Sequence, residues 1–255
     1  MPGIEHKNLI TSYLKPWLDA GLSFLYPEVC QCCGKERATP SEGFIGAQCW
    51  KHVRFITPPI CGRCGLPFEG ALDTPFECAN CRDGEFVFRY ARSAVVARGM
   101  ALEIIHRYKY SNALWFEPFL ADLLVRAAAP VLRAESWDMI VPVPLHRSKR
   151  AQRGFNQAER LARLLGRETG LALDSRCVVR VTPTRSQTTL TRAERAANVR
   201  RAFTVKDPAA LSGRRVVLVD DVFTTGATTN ACAKALRDGG AAEVCVWTLA
   251  RGLWR

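Results

Sequence analysis

The sequence predicts an α/β protein in which an open, mainly parallel sheet is flanked by helices and preceded by a small cysteine-rich domain. Apolar runs rich in branched residues alternate with helical patterns, which is typical of βαβ units around a parallel sheet. Eight of the eleven cysteines lie between Cys30 and Cys81. The charge changes at the same place, from 9 basic and 10 acidic residues over 1–90 to 27 basic and 14 acidic over 91–255.

These two shifts divide the chain into three predicted segments. An amphipathic helical segment covers residues 1–27, a double zinc ribbon 28–88, and the α/β domain 89–255. The first segment repeats apolar residues such as Leu14 and Trp17 on one helical face. Because its polar face is not rich in lysine, we expect this helix to dock on the protein and not on a membrane surface.

Composition and hydropathy exclude several classes of protein. The chain has 255 residues, of which 48% are hydrophobic and 24% charged, unlike a disordered or fibrous chain. No stretch approaches the ~18–20 uninterrupted apolar residues of a membrane-spanning helix. The first thirty residues lack the apolar core and cleavage site of a signal peptide. We therefore expect a cytoplasmic protein without membrane insertion.

Two cysteine pairs with zinc-ribbon spacing form the more regular of two predicted metal sites. Cys61-x2-Cys64 is followed by Cys78-x2-Cys81, and a hairpin that joins two such pairs presents four thiolates to one tetrahedral zinc ion. Disulfides are the alternative, but the cytosol keeps thiols reduced. Because four protein ligands leave no open position, we expect this zinc to be structural.

The other predicted metal site is less regular. Cys30-x2-Cys33 is followed by Cys49-x2-His52, which keeps the same architecture with a histidine as fourth ligand. Cys32 competes for that position, but a side chain inside the knuckle usually points away from the metal, so His52 is favoured. The alternative is a site without metal that is held by packing. We expect one or two structural zinc ions in all.

The α/β domain is predicted from three strands and four helices. The strands are the apolar runs Met139–Pro144, Val216–Val219 and Val244–Leu249. The helical patterns cover Met100–Lys109, Glu117–Leu132, Phe155–Gly166 and Thr228–Arg237.

The segment Val216–Thr228, VVLVDDVFTTGAT, is the most informative part of the chain. Its strand delivers Asp220 and Asp221 at the carboxyl end, where an open α/β sheet binds ligands. A loop of hydroxyls and one glycine then opens a helix, and the amides of such a loop form an anion site. Vicinal sugar hydroxyls would explain why carboxylates lie beside a phosphate site. The segment therefore predicts a site for a ribose 5-phosphate group.

This segment resembles the phosphoribosyl pyrophosphate (PRPP) signature of type I phosphoribosyltransferases. The resemblance implies a type I phosphoribosyltransferase-like fold that binds PRPP with Mg2+. It also implies that Asp220 and Asp221 hold the ribose hydroxyls. The residues that would surround the 5′-phosphate are Thr224, Thr225, Gly226, Ala227 and Thr228.

Other segments resemble the competence-associated ComF (GntX-like) proteins. They include Val141–Arg147, Arg153–Gln157, Tyr108–Tyr110 and the cysteine-rich domain. The family's association with natural transformation implies a role in DNA uptake, in contact with single-stranded DNA and a helicase-like partner. The chain departs from the family at Gly46, where many members carry a cysteine, which leaves His52 as the candidate substitute.

Basic residues are concentrated over 140–205, with 14 basic and 4 acidic side chains. A mobile cationic loop after Pro144 is predicted to bind pyrophosphate as a leaving group. A flexible hood over Arg185–Asn198 is predicted to close over the reacting centre. The candidate residues of the pyrophosphate and hood loops are Lys109, Arg147, Arg150, Arg153, Gln187, Arg195 and Asn198.

Two classes of function fit the sequence. The first is an enzyme that transfers phosphoribosyl from PRPP to an unidentified acceptor and releases pyrophosphate. The second is a non-enzymatic protein that senses PRPP or a nucleotide and binds single-stranded DNA or a DNA-processing partner. Few aromatic residues interleave with the basic segment, which weakens a stacking platform for single strands. PRPP chemistry is therefore favoured.

Overall fold

The computed structural model of the chain describes residues 28–68, 70, 76–82, 84–182 and 202–253. The helix predicted within 1–27 lies outside the described residues, as does the predicted hood with Gln187, Arg195 and Asn198.

A parallel five-stranded sheet forms the centre of the described structure. The strands, in chain order, are β1 (Ala91–Val96), β2 (Met139–Pro142), β3 (Ala172–Leu173), β4 (Val178–Arg180), β5 (Phe203–Val205), β6 (Arg215–Phe223) and β7 (Glu243–Arg251). The sheet has the order β1-β7-β6-β2-β3, and every neighbouring pair is parallel. β4 and β5 form a separate antiparallel pair. The predicted mainly parallel α/β fold is confirmed.

Helices cover the sheet, and two short helices lie within the cysteine-rich region. They are α1 (Ala47–Trp50), α2 (Ala79–Arg82), α3 (Gly99–Tyr110), α4 (Glu117–Ala134), α5 (Arg147–Arg153), α6 (Gln157–Thr169), α7 (Pro208–Leu211) and α8 (Ala227–Asp238). The four helices predicted from periodicity correspond to α3, α4, α6 and α8, with ends that differ by a few residues.

The sheet is buried on both faces, as parallel sheets generally are. Successive side chains of a strand point to opposite faces, so Val217 and Val219 of β6 join one core with helices α3, α4 and α6. Val216 and Leu218 join a second core with α8 and the β4–β5 pair. This two-sided burial explains why the β6 sequence is a continuous apolar run and does not alternate.

The two halves of the cysteine-rich region pack against different cores. Trp50 of the first half lies edge-on to Phe119 of α4, with ring centroids 6.1 Å apart, and packs against the first core. Cys61 and Cys64 of the second half are buried in the second core. The cysteine-rich region therefore contacts the α/β domain at both faces of the sheet.

Several elements differ from the sequence prediction, and the short strands β3, β4 and β5 were not predicted. β1 was not predicted, because its ARSAVV sequence carries few large apolar residues. The cationic segment after Pro144 was predicted as a mobile loop, and it forms helix α5 instead. His146 caps that helix by accepting from the Ser148 amide, and Gly154 ends it in the left-handed region at φ 78°.

No helix in the described part of the chain is both long enough and apolar enough to cross a membrane.

Candidate functional site

The predicted acidic pair lies near the carboxyl end of the central strand. β6 continues past its apolar run, so Asp220 and Asp221 are still within the strand, which ends at Phe223. Because successive side chains of a strand point to opposite faces of the sheet, the two carboxylates lie on different faces. Asp221 is 7% exposed, whereas Asp220 is more open. The pair therefore lies at the edge where α/β sheets bind ligands.

Asp221 is fixed by two side chains from different helices. The Lys109 Nζ of α3 lies 2.8 Å from Asp221 Oδ1. Gln157 Nε2, at the start of α6, donates to Asp221 Oδ2 at 2.7 Å. Burial tends to raise the pKa of Asp221, but the Lys109 ammonium and the Gln157 amide outweigh it and lower the pKa below its usual value. Asp221 is thus an ionised carboxylate.

Asp220 has the opposite electrostatic environment. Burial and then the negative charge of Asp221 raise the pKa of Asp220 to about 7. The Asp221 amide donates to Asp220 Oδ1 at 2.8 Å, and the charges of Lys109 and Arg180 also oppose the rise. Two adjacent carboxylates with separated pKa values are typical of a functional site.

Cations converge around the acidic pair. Burial, and then the positive charges of Arg180, Arg153 and Lys109, lower the pKa of Lys149. The positive charge of Arg153 lowers the pKa of Asp221, and that of Arg180 lowers the pKa of Asp220. Four basic side chains therefore surround two carboxylates, of which one has a raised pKa. This excess of positive charge suits a polyanionic ligand.

The other predicted basic residues of α5 lie farther from this centre. The Arg150 guanidinium pairs with Glu159 at 3.3 Å. Arg147 is exposed at the start of the helix. Arg153 lies over the Tyr110 ring at 4.9 Å, which orients its guanidinium beside α3. Among the predicted α5 residues, the structure thus brings Arg153, and not Arg147 or Arg150, to the acidic pair.

The predicted phosphate loop is short and opens helix α8. Thr224, Thr225 and Gly226 connect β6 to Ala227, the first helical residue. Thr225 Oγ1 accepts from the Ala227 amide at 3.2 Å, and Thr228 lies one residue farther along the helix. Amides at the start of a twelve-residue helix, with hydroxyls on both sides, can receive a phosphate group.

Gly226 is required by the shape of this loop. It has φ 79°, in the left-handed region, and it is buried. A Cβ at this position would lie 2.6 Å from Phe223 Cζ and 2.9 Å from Phe86 Cε1. Conformation and space therefore both demand glycine here.

A cavity of about 290 Å³ separates the phosphate loop from the second ribbon, the one that contains Cys61, Cys64, Cys78 and Cys81. Arg251 lies in its wall and is 2% exposed. Its guanidinium lies 4.4 Å from the Phe223 ring centroid, and Nη2 donates to Cys64 Sγ at 3.4 Å. The buried guanidinium of Arg251 thus contacts both the second ribbon and Phe223, the residue before the phosphate loop. The remaining lining residues are Asn80, Cys81, Phe86, Thr224 and Thr225.

The second ribbon has the geometry of a tetrahedral metal site. The Sγ atoms of Cys61 and Cys81 are 3.7 Å apart, those of Cys64 and Cys78 3.7 Å, and those of Cys78 and Cys81 3.6 Å. Four sulfurs at about 2.3 Å from a tetrahedral zinc would be about 3.8 Å apart. The four cysteines therefore fit a structural zinc ion, as predicted.

The first ribbon departs from the prediction at its fourth position. The Sγ atoms of Cys30, Cys33 and Cys49 cluster within 4.8 Å of one another and of a carboxylate oxygen of Glu36. His52, predicted as the fourth ligand, is exposed in the turn after α1. Cys32, the competing candidate, packs against the first core. Among the described residues, His52 is not one of the donors that converge in this cluster.

Sequence reasoning overlooked roles for three residues that the structure brings to these sites. Gln157 stands in the Arg153–Gln157 run that carried a family resemblance, but no charge or spacing indicated that its amide would reach Asp221. Arg251 ends a strand 30 residues after Asp221 in the sequence, and only the parallel pairing of β6 with β7 brings it near. Glu36 lies outside the C-x2-C pattern.

The fold and site define a class of protein, a phosphoribosyltransferase-type α/β domain with zinc ribbons. In comparisons with protein families, the family described as phosphoribosyl transferase domain matches residues 120–253. The family described as double zinc ribbon domain matches residues 21–82. The two matches correspond to the α/β domain and the cysteine-rich region.

Individual relatives extend over most of the chain. Competence protein F of Haemophilus influenzae is 34% identical over 211 residues, which are 80% of this chain and 88% of the relative. DNA utilization protein YhgH of Salmonella typhimurium is 32% identical over 230 residues, 89% of this chain and 98% of the relative. The chain belongs to the ComF family.

A solved structure with similarity to the α/β domain is the glutamine PRPP amidotransferase from B. subtilis complexed with ADP and GMP. It is 22% identical, with a TM-score of 0.35, and the match covers 51% of this chain and 25% of that chain.

Proposed function

We propose that this protein binds PRPP at the carboxyl end of β6 and transfers its phosphoribosyl group to an acceptor with release of pyrophosphate. The observation that carries the proposal is the Asp220–Asp221 pair set among four cations, next to a threonine-rich loop that opens α8. Carboxylates for sugar hydroxyls and two separate anion sites are what a ribose with phosphate groups at both ends requires.

Each part of the ligand has a matching group. The 5′-phosphate is placed against Thr224–Thr228, where amides and hydroxyls donate. The ribose hydroxyls donate to Asp220, the more exposed of the two aspartates. The pyrophosphate lies toward Lys149, Arg153 and Arg180: the charge of Arg153 acts on Asp221, that of Arg180 acts on Asp220, and both act on Lys149. Asp221 holds Lys109 and Gln157 in place beneath the ribose.

Two adjacent carboxylates also fit a divalent cation that arrives with the ligand, because Mg2+ is commonly bound by one or two carboxylates together with substrate phosphates. When bound, Mg2+ neutralises charge on the pyrophosphate. Asp220 is the residue that would share it, since it is the more exposed of the two aspartates.

The proposed step breaks the bond between ribose C1 and the pyrophosphate oxygen, which keeps the electron pair. A new bond forms between C1 and a nucleophilic atom of the acceptor, which loses a proton. Lys149, Arg153 and Arg180 stabilise the charge that develops on the leaving pyrophosphate. Asp220 orients the ribose so that C1 faces the acceptor.

We further propose that this chemistry serves the handling of DNA that has been taken up, on the cytoplasmic side of the membrane. Support comes from relatives named competence protein F and DNA utilization protein. Single-stranded DNA and a helicase-like partner are the proposed contacts. The alternative is a protein that senses PRPP or a nucleotide and acts through such a partner without turnover.

A pyrophosphate-release assay tests the proposal. The full-length protein is incubated with PRPP, Mg2+ and pools of acceptors that include nucleobases, amines and single-stranded DNA. We expect one pool to produce pyrophosphate and a phosphoribosyl adduct detectable by mass spectrometry. Asp220→Asn should reduce the rate at least about tenfold through loss of a charged hydrogen bond.

Asp238→Asn is the matched control, since this aspartate ends α8, is exposed and pairs only with Lys234 among the described contacts. It should leave the rate unchanged. If PRPP binds but every pool remains inactive, the transfer step is wrong and the sensing alternative takes its place. If Asp220→Asn matches wild type while turnover occurs, the site has been placed incorrectly.

A further inference from the structure

The two ribbons follow the same local pattern, which allows their positions to be compared. The Gly34 amide donates to Cys30 O at 2.8 Å, and the Gly65 amide donates to Cys61 O at 3.0 Å. Both glycines have φ 65°. The first cysteine knuckle of each ribbon is therefore closed by the same turn, four residues after its first cysteine.

The second half of each ribbon also matches, except at one position. Helix α2 begins directly after Cys78 and carries Cys81 as its third residue, and α1 begins directly after Gly46 and carries Cys49 as its third residue. Gly46 thus stands where the second ribbon has the thiolate of Cys78. The first ribbon supplies only three cysteines in equivalent positions.

The side chain of Glu36 fills the space that this glycine leaves. A Cβ on Gly46 would overlap Cγ and Cδ of Glu36 and lie 2.6 Å from its Oε1. Gly46 is buried and Glu36 is half-buried. A carboxylate from elsewhere in the ribbon therefore reaches the place of the missing thiolate.

Backbone amides hold that carboxylate toward the cysteines. The Gln48 amide donates to Glu36 Oε2 at 2.9 Å, and the Cys49 amide donates to Oε1 at 3.1 Å. Cys33 Sγ lies 3.8 Å from Oε1. A sulfur and a carboxylate oxygen bound to one tetrahedral zinc would be about 3.6 Å apart. The donor set has the spacing of a metal site.

We propose that the first ribbon binds zinc through Cys30, Cys33, Cys49 and Glu36, with the carboxylate replacing a cysteine at position 46. The site is closed, with four protein ligands, and so has a structural role. When all four ligands are ionised, it carries the same net charge as the four-thiolate site of the second ribbon, but one of its donors is a harder oxygen. Probes that respond to the number of thiolate ligands should therefore distinguish the two ribbons.

The test uses the full-length protein loaded with zinc and, separately, with cobalt. Zinc content and the kinetics of zinc release to a chromogenic chelator are measured for wild type, Glu36→Gln, Glu42→Gln, His52→Ala and the double variant Glu36→Ala/Gly46→Cys. Glu42→Gln is the matched control, because Glu42 lies in the same segment and contacts Thr39 instead of the cysteines.

We expect two zinc ions in wild type, in Glu42→Gln and in His52→Ala. Glu36→Gln should release one zinc at least about tenfold faster, because even residues that only support a metal ligand contribute about tenfold to metal affinity. The slower phase, from the Cys61–Cys81 site, should persist and shows that the fold is intact. The double variant should recover slow release. Its cobalt form should gain thiolate-to-metal charge-transfer absorption over wild type, because a fourth sulfur has joined the site.

Three results would overturn the proposal. One is release from Glu36→Gln that matches Glu42→Gln. Another is a double variant that retains the Cys61–Cys81 phase but recovers neither the second zinc nor the added absorption. The third is that His52→Ala loses one zinc whereas Glu36→Gln keeps both. That result would show that His52, and not Glu36, is the fourth ligand.

Discussion

Asp220 is the residue on which the proposed ligand chemistry depends most directly. Its raised pKa means that the folded protein without ligand holds a mixture of neutral and ionised Asp220 near neutral pH. A carboxylate accepts hydrogen bonds from two hydroxyls, whereas the neutral acid must use one oxygen as a donor. Binding of the ribose hydroxyls should therefore favour the ionised form and be linked to proton release.

The consequence is a pH dependence with a definite sign. PRPP affinity relative to that of Asp220→Asn should rise by about tenfold between pH 6 and pH 8, as a single group with a pKa of about 7 loses its proton. The ratio cancels the titration of the ligand's own phosphates. Calorimetric titrations at several pH values measure it. A ratio that is constant or falls with pH would contradict a role for ionised Asp220.

Some of the site residues could be predicted from the sequence and others could not. Asp220, Asp221 and the threonine loop were predictable because they are contiguous and their order is distinctive. Gln157 and Arg251 were not, because their roles arise from packing between segments far apart in the chain. Glu36 was missed because the C-x2-C pattern directs attention to residues near Cys49, whereas the carboxylate arrives from a turn thirteen residues earlier.

At the scale of elements, β6, the phosphate loop and α8 form a single strand-turn-helix unit. The turn is three residues long, so its conformation is set by Gly226 and by the aromatic rings of Phe223 and Phe86 packed against it. Asn230 of α8 anchors the segment that follows the second ribbon, by accepting from the Val87 amide and donating to Glu85 O. The loop is thus held from both the sheet and the ribbon sides.

A pair of glycine substitutions, Gly226 in this unit and Gly154 at the end of α5, separates conformational strain from crowding. Gly154→Ala, at φ 78° with no heavy atom within 4 Å of the new Cβ, should cost about 1 kcal/mol in the free energy of unfolding. Gly226→Ala should cost more, because the new methyl group displaces two rings, and should also weaken PRPP binding. Urea denaturation and calorimetry measure both. Equal costs and unchanged affinity in the two variants would contradict this account of the loop.

Element boundaries were predicted less well than element types. The apolar run of β6 ends at Val219, yet the strand continues through both aspartates, because Asp220 and Val222 still pair with Thr248 and Ala250 of β7. The arginine-rich segment after Pro144 looked like a loop by composition, but its capping residues, His146 and Gly154, make it a helix. In both cases tertiary or capping contacts outweighed the local pattern.

At the scale of the whole molecule, the sheet lies between the two ribbons. The first ribbon packs on the α4 side through Trp50, and the second meets the α8 side beside the phosphate loop. A zinc ion bound by four thiolates carries a net negative charge, and Arg251, buried between Cys64 and Phe223, provides an opposing charge. The second ribbon is therefore built into the wall of the candidate site and is not an appended domain.

The most direct test of the central claim is a calorimetric titration of PRPP with Mg2+ into the zinc-loaded protein, for wild type and for Asp220→Asn/Asp221→Asn. The account predicts saturable binding by wild type and about 100-fold weaker binding by the double variant, through loss of the Asp220 hydrogen bonds to the ribose and of the Asp221 contacts that position Lys109 and Gln157. A basic surface that merely attracts polyanions would behave in the opposite way, because removal of two negative charges would strengthen binding. Binding that is unchanged or tighter in the variant, or absent in folded wild type, would contradict the account.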